Sequence, residues 1–92
     1  MNLPAIPLPR DVVNVAGVEV KVRGLSRSEV LRLSKFQGDA DAAENFMLTC
    51  GLDCDEGQVR VWRESIPATA GDELVERIAE LSGLIEGAQK SG

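Results

Sequence analysis

Valines alternate with other residues over the first quarter of the chain, after a start that is rich in proline. The alternating valines are Val13, Val15, Val18, Val20 and Val22, and Glu19, Lys21 and Arg23 follow the last three. A period of two is typical of a strand with one buried face. Ala16 and Gly17 lie between the two runs, where glycine supplies the positive φ angle that a tight turn requires. The pattern therefore predicts a β-hairpin over residues 11–23.

Beyond the hairpin, apolar residues recur at intervals of three and four, which predicts helices. Ser26 and Glu29 have the spacing of a capping box at the start of the first helix, and Gly38 ends that helix. Asp39 is the expected cap of the second helix. The apolar positions of the second helix are Ala40, Ala43, Phe46, Met47 and Cys50. Gly51 is expected to take the left-handed conformation that terminates it.

The third predicted helix has its main body between Asp72 and Gly83. Its apolar stripe consists of Leu74, Val75, Ile78, Leu81 and Ile85. Glu73 and Arg77 stand four residues apart, in the orientation that favours an ion pair on one helix face. Gly83 is the expected stop signal of this helix.

The segment between the second and third helices carries a weaker pattern. Residues 53–57 indicate a polar turn, and residues 58–62 indicate a short alternating or irregular stretch. Pro67 opens a short helical piece that Gly71 separates from the main helix. The sequence thus predicts an α+β fold in which an N-terminal β-hairpin is followed by about three α-helices, so that helix is the main element.

The chain length of 92 residues fits one ordinary domain. Three of the four prolines fall within the first nine residues, which favours an extended arm over residues 1–10. The compact domain is expected over residues 11–87, and the small polar residues at 88–92 predict a flexible tail. No apolar run approaches the roughly 18 residues that cross a bilayer, and the first ten residues lack the features of a signal peptide. We therefore expect a cytoplasmic protein.

Composition narrows the function classes. The formal net charge is −5, which opposes sequence-independent binding to nucleic acid or to anionic membranes. Because the chain has no histidine, Ser-His-Asp and Cys-His nucleophile systems and His-ligated zinc are excluded. Cys50 and Cys54 are too few for a disulfide framework and are expected to be reduced. The sequence predicts a protein that is not an enzyme and that needs no metal and no cofactor.

The order of the elements and the short motifs between them carry a family resemblance. The motifs are Gly24-Leu25-Ser26 after the hairpin, Met-Leu-Thr-Cys-Gly-Leu at 47–52, Asp-Cys-Asp-Glu at 53–56, Trp62 with Ile-Pro-Ala at 66–68, and Leu-Ser-Gly-Leu at 81–84. This order resembles that of the small tail assembly chaperones of long-tailed, siphovirus-like bacteriophages. The resemblance covers about residues 16–87 and leaves the proline-rich arm unassigned.

The resemblance implies a non-enzymatic protein that works in the host cytoplasm and is not part of the finished virion. A chaperone of this family binds the long, largely helical tape measure protein and helps to recruit the major tail protein before the tail tube polymerises. A programmed frameshift often adds a C-terminal extension in this family, and the short form self-associates. The resemblance therefore implies three partners: a tape measure protein, a major tail protein that is recruited through a longer form, and further copies of the chain.

The last helix is the expected partner-binding surface, because its apolar residues exceed what one narrow contact stripe needs. The candidate residues are Leu74, Val75, Ile78, Leu81, Ile85 and Trp62. The alternative is that the helical residues all face the domain's own core and that Trp62 covers that core. A second interpretation of function is a small acidic adaptor or regulatory module. It would bind a folded protein partner through the region of Arg60, Trp62 and Arg63.

Overall fold

A hairpin and helices make up the part of the chain that the computed structural model describes, residues 2–85. The elements are β1 (Arg10–Val15), β2 (Val18–Arg23), α1 (Arg27–Leu33) with a 3₁₀ turn (Ser34–Phe36), α2 (Ala40–Leu52), α3 (Glu56–Arg63) and α4 (Ala68–Leu81). The predicted α+β fold with an N-terminal hairpin is confirmed. Residues 2–9, called the N-terminal arm below, have no regular secondary structure. The predicted tail at 88–92 lies outside the described residues.

The hairpin forms where the valine alternation predicts it. Its register pairs Val15 with Val18. Ala16 and Gly17 form the turn between them, with φ angles of 51° and 84°. Positive φ at both central residues is the type I′ geometry, which matches the twist of the flanking strands. Val15 and Val22 are buried, so the face of the hairpin that carries them packs on the rest of the domain.

Side-chain caps begin the first two helices as predicted. The Ser26 hydroxyl accepts a hydrogen bond from the Glu29 N–H at 3.2 Å, and the Glu29 carboxylate accepts one from the Ser26 N–H at 2.8 Å. This reciprocal pair is a complete capping box. The Asp39 carboxylate accepts from the Ala42 N–H at the start of α2. Both starts follow from residues within four positions of each other.

Two predictions around α3 are wrong. Helix α2 continues through Gly51 and ends where Asp53 takes the left-handed conformation, with a φ of 55°. The stretch at 58–62 belongs to a helix, because Asp55 caps α3 in a second capping box with Gln58. Residues 2–85 therefore contain one more α-helix than the periodicity indicated.

Helix α4 is continuous. Its N-cap residue is Pro67, and Gly71 is buried inside the helix instead of separating two pieces of it. Gly83 has a φ of 77° just beyond the last turn, as the predicted stop requires. Arg77 contacts the Asp11 carboxylate of β1 and pairs with Glu80 of α4 at 2.7 Å. It does not pair with Glu73, the partner that the sequence predicted. The contact with Asp11 ties α4 to β1.

The core lies where α2 and α4 pack on each other and on the hairpin. Its fully buried side chains are Leu48 of α2, Val59 of α3, and Leu74 and Ile78 of α4. Gly51 of α2 brings the backbone of that helix against Ile78. Burial of these apolar side chains is the main favourable contribution to folding.

Arg23 clamps the end of β2 to the helices. Its guanidinium pairs with the Glu29 carboxylate at 2.9 Å and with the Asp53 carboxylate at 3.0 Å, so it joins the start of α1 to the end of α2. Hydrogen bonding to Arg23 lowers the pKa of Glu29 to about 2. The carboxylate contacts in turn raise the pKa of Arg23.

Candidate protein-binding grooves

The apolar stripe that the sequence indicates on the last helix is mostly core. Leu74 and Ile78 are 0% exposed, so their assignment to a partner-binding surface has to be corrected. Val75 and Leu81 are half-buried and pack against the same core. Ile85, which follows the end of α4, is 47% exposed. The two central residues are buried because α4 packs on α2 and on both strands of the hairpin.

A groove of about 480 Å³ runs along α2, between the 3₁₀ turn and α3. We call it the α2 groove. Its floor consists of the half-buried residues Phe36, Ala42, Phe46 and Thr49. The α2 residues that line it recur at intervals of three and four and so share one helix face. From Asp39 to Thr49 that face is about 15 Å long, at about 1.5 Å per residue.

An aromatic pair forms the apolar centre of the α2 groove. The ring centroids of Phe36 and Phe46 are 5.3 Å apart and their planes are tilted by 38°. Both rings are only half-buried, so each keeps part of its surface available. Partly exposed aromatic rings in a concave setting are favourable anchors for a protein partner.

The rim of the α2 groove is acidic. Its exposed residues are Asp39, Asp41, Glu56 and Arg60. Arg60 pairs with Glu56 at 3.5 Å, so the only basic side chain on the rim is already engaged with a carboxylate. The rim therefore favours a partner with positive charge beside its apolar contact residues.

Arg63 holds the side of the α2 groove in place. Its guanidinium donates to the carboxylates of Asp41 at 2.8 Å and Glu44 at 3.0 Å, and to the Asn45 amide oxygen at 3.2 Å. Within residues 2–85, the buried Nδ2 of Asn45 has no hydrogen-bond partner.

A second groove lies between β2 and α3, and we call it the β2 groove. Its volume is about 510 Å³ and its apolar lining consists of Val20, Leu52, Val59 and Trp62. Trp62 is half-buried and packs against the core, as the alternative interpretation of this residue expected. It also lines the groove, so one face of the ring remains available.

Arg60, Trp62 and Arg63 do not form one surface. Trp62 lines the β2 groove, whereas Arg60 lines the α2 groove on the other side of α3. Arg63 is held by side chains of α2. Positions two apart on a helix face different directions, which explains the separation of the first two. The adaptor interpretation therefore lacks the continuous patch on which it relied.

The surroundings of the Cys50 thiol disfavour its reactivity. Burial and the neighbouring Glu29 carboxylate raise the pKa of the Cys50 thiol to about 11, which disfavours the nucleophilic thiolate. In residues 2–85 there is no group of three or more side chains that could hold a metal ion. None of the helices in that part of the chain is long and apolar enough to cross a membrane.

The chain matches no protein-family model, and it has no significant match among curated proteins or solved structures. The two grooves and the order of the elements are therefore the observations that bear on function.

The sequence did not single out Phe36 and Phe46 as a site. Phe46 was placed among the apolar positions of the second helix, where a phenylalanine is usually buried. Phe36 and Phe46 are the two phenylalanines of the chain, and they flank the Gly38 and Asp39 corner between the first two helices. That pairing around a helix corner was the signal that could have indicated a shared aromatic site.

Proposed function

We propose that this protein is a phage tail assembly chaperone that holds a helical segment of the tape measure protein in the α2 groove. The observation that carries the proposal is the half-buried Phe36 and Phe46 pair on the floor of a groove that is about 15 Å long. The order of sequence elements supports the choice of partner. The proposal moves the binding surface from the last helix to α2.

The length of the α2 groove suits a partner helix. About 15 Å corresponds to nearly three helical turns, which is enough for apolar anchors at positions i, i+3 or i+4, and i+7 of a docked helix. Ala42 lines the groove about one turn before Phe46, and its small side chain lets an aliphatic anchor approach the α2 backbone there. An amphipathic helix is therefore the partner of best fit.

Charge gives the proposed partner a second property. Three exposed carboxylates stand around the apolar floor: Asp39, Asp41, which also pairs with Arg63, and Glu56, which also pairs with Arg60. A helix with lysine or arginine beside its apolar stripe would meet them favourably. Because these rim charges are exposed, they affect the association rate and its salt dependence more than the affinity.

Covering an apolar helix face would serve tail assembly in the host cytoplasm. A long helical protein that awaits its tube exposes apolar surface, and such surface promotes aggregation. The chaperone would shield that surface and leave when tube subunits replace it. Recruitment of the major tail protein by a longer form, and self-association of this form, are part of the same proposal.

Binding to purified helical segments of the tape measure protein from the same phage tests the proposal. Ala42→Arg would fill the floor of the α2 groove and add a positive charge to a site that prefers a basic partner. We expect the dissociation constant to rise by about 30-fold or more, which is the size of a hot-spot loss of about 2 kcal/mol. Fluorescence anisotropy of a labelled segment measures the change.

Val61→Arg is the matched control. Val61 lies on α3, is 71% exposed and lines neither groove, so the same new side chain should leave binding unchanged. Circular dichroism and thermal unfolding check that both variants keep the fold. If the parent chain binds no segment, or if both variants bind as the parent does, the α2 groove is not the tape measure site.

A further inference from the structure

The outer edge of β2 has unpaired backbone groups. In an antiparallel hairpin, residue pairs across the two strands alternate between two kinds. The residues of one kind of pair exchange backbone hydrogen bonds, and those of the other kind point their N–H and C=O groups away from the partner strand. The hydrogen bond from the Gly24 N–H to the Pro9 carbonyl, at 2.9 Å, fixes the phase of this alternation. The N–H and C=O groups of Glu19 and Lys21 consequently point away from β1, and none of the described residues pairs with them there. An unpaired edge of this kind is a template for another strand.

The edge of β1 is guarded, in contrast to that of β2. The Val12 N–H, which points outward from β1, donates to the Asp11 carboxylate at 2.7 Å. Arg77 of α4 contacts the same carboxylate. On the β2 side, the apolar β2 groove opens directly beside Glu19 and Lys21. An added strand at β2 would therefore gain both backbone hydrogen bonds and burial of its side chains.

The N-terminal arm has the complementary pattern. Leu3 and Ile6 are 83% and 80% exposed, so the isolated chain leaves them without a packing partner. In an extended strand, the N–H groups of Ile6 and Leu8 point to one edge, while Pro7 and Pro9 lie on the other edge and donate nothing. Over residues 6–9, one edge of the arm can thus donate hydrogen bonds and the other cannot.

We propose that the arm of a second copy of this chain adds to β2 as a parallel third strand. In this arrangement the N–H groups of Ile6 and Leu8 donate to the carbonyls of Glu19 and Lys21, and the Lys21 N–H donates to the Ile6 carbonyl. Parallel pairing places residues that face β2 on the opposite sheet face from Glu19 and Lys21. The side chains of Ile6 and Leu8 then enter the β2 groove beside Val20.

The arm of the same molecule cannot reach this position. Its Pro9 carbonyl is held by the Gly24 N–H on the β1 side of β2. A third strand beside β2 lies about 10 Å from the line of β1, because neighbouring strands are about 4.8 Å apart. Leu8 is one residue from Pro9, and one residue spans at most about 3.8 Å. The occupant therefore has to come from another molecule.

Charge and area are consistent with a second copy. Residues 2–9 carry no charged side chain, and the edge presents one carboxylate and one ammonium at Glu19 and Lys21. The net charge of −5 on each chain is thus not concentrated at the contact. The Ile6 and Leu8 side chains of two exchanged arms bury roughly 400 Å², counting about 100 Å² for each, and the grooves that receive them bury about as much, which gives about 800 Å² in total. An area of this size corresponds to a weak, concentration-dependent dimer.

Sedimentation velocity of the full chain over a range of concentrations provides the first test. The parent chain should form a dimer, and Ile6→Asp should raise its dissociation constant by about 100-fold because both arms change. Lys21→Pro should do the same, since it removes the outward N–H but no hydrogen bond to β1. Val12→Pro is the matched control on the same rung at the β1 edge, and it should leave the dimer intact.

Mixing the two disabled variants tests the exchange itself. Ile6→Asp keeps a competent edge and Lys21→Pro keeps a competent arm, so an equimolar mixture should form a heterodimer through one intact contact. Its dissociation constant should be about tenfold above that of the parent dimer and about tenfold below that of either variant alone. A monomeric parent, a mixture that stays monomeric, or equal effects of Lys21→Pro and Val12→Pro would each overturn the proposal. Tape measure binding in the α2 groove should be unaffected by Ile6→Asp, which separates this test from that of the proposed function.

Cysteine substitutions can test which face of the arm enters the β2 groove. Cys54 is exposed and lines the β2 groove. Ile6→Cys should form an intermolecular disulfide with Cys54 under oxidised glutathione, whereas Ala5→Cys, on the opposite face of the strand, should do so at least about tenfold more slowly. Equal rates for the two variants would refute parallel insertion into the groove.

Discussion

Two glycines inside helices should respond to alanine in opposite directions. Gly51 lies in α2 and Gly71 in α4, and both are buried. An added Cβ at Gly51 would stand 2.3 Å from Cδ1 and 2.7 Å from Cγ1 of Ile78. At Gly71 the nearest atom to an added Cβ is Cδ1 of Ile66, at 3.9 Å, which is an ordinary van der Waals contact. The same substitution thus meets a clash in one helix and open space in the other.

The magnitudes follow from packing and propensity. Alanine is favoured over glycine in a helix interior by up to about 1 kcal/mol, and this gain applies at both positions. At Gly51, the fully buried Ile78 has no free volume to retreat into, and overpacking of this kind costs about 1–3 kcal/mol. We expect Gly51→Ala to destabilise the fold by about 1 kcal/mol and Gly71→Ala to stabilise it by about 0.5–1 kcal/mol.

Urea unfolding, monitored by circular dichroism, measures both free energies. Adding Ile78→Val to Gly51→Ala should recover part of the loss, because it removes the clashing Cδ1 atom. If Gly51→Ala stabilises the protein as much as Gly71→Ala does, the close approach of α2 to α4 at Ile78 is wrong. The direction of the difference between the two variants decides the outcome more firmly than either value alone.

Three further expectations concern charge, reactivity and the core. Because contact with Arg23 lowers the pKa of Glu29 from 4.5 to about 2, the parent chain should lose up to about 3 kcal/mol of stability through this group as the pH falls from about 5 to about 2. Glu29→Gln should be less stable at neutral pH and should lack this part of the acid dependence, and identical pH profiles would contradict the ion pair. The Cys50 thiol, whose pKa is raised to about 11, should react with iodoacetamide far more slowly than the exposed Cys54 in peptide mapping by mass spectrometry, and equal rates would contradict its burial. Ile78→Asp should unfold the chain, since it places a carboxylate at a fully buried position, and a retained melting temperature would contradict the core assignment.

The candidate sites were predictable only in part. Trp62 was singled out as a surface candidate and does line a groove. Leu74 and Ile78 were assigned to a binding surface from the apolar stripe of the last helix, but both are buried. Periodicity identifies an apolar helix face without showing what covers it. Phe36 and Phe46 come together across a helix corner. A hydrophobic pattern does not contain the angle of that corner, so it could not show their contact.

The sequence by itself determined the elements whose causes are local. The hairpin turn at Ala16 and Gly17 and the helix starts at Ser26 and Asp39 depend on residues a few positions apart, so their hydrogen bonds form wherever the chain goes next. The capping box that begins α3 was equally local, yet its residues were interpreted as a solvated acidic turn. The sequence signal for this helix start was Asp55 followed three residues later by Gln58, which is the spacing of a capping box.

Only the tertiary structure decided the contacts between segments that are far apart in the sequence. Gly51 stays helical because its missing Cβ makes room for Ile78, 27 residues further along the chain. Arg77 pairs with Asp11 as well as with Glu80 of its own helix, because β1 brings the Asp11 carboxylate alongside α4. The unpaired edge of β2 likewise exists because α3 packs near the strand without supplying a third one. Each outcome depends on a distance between segments far apart in sequence, which local preference does not encode and close packing does.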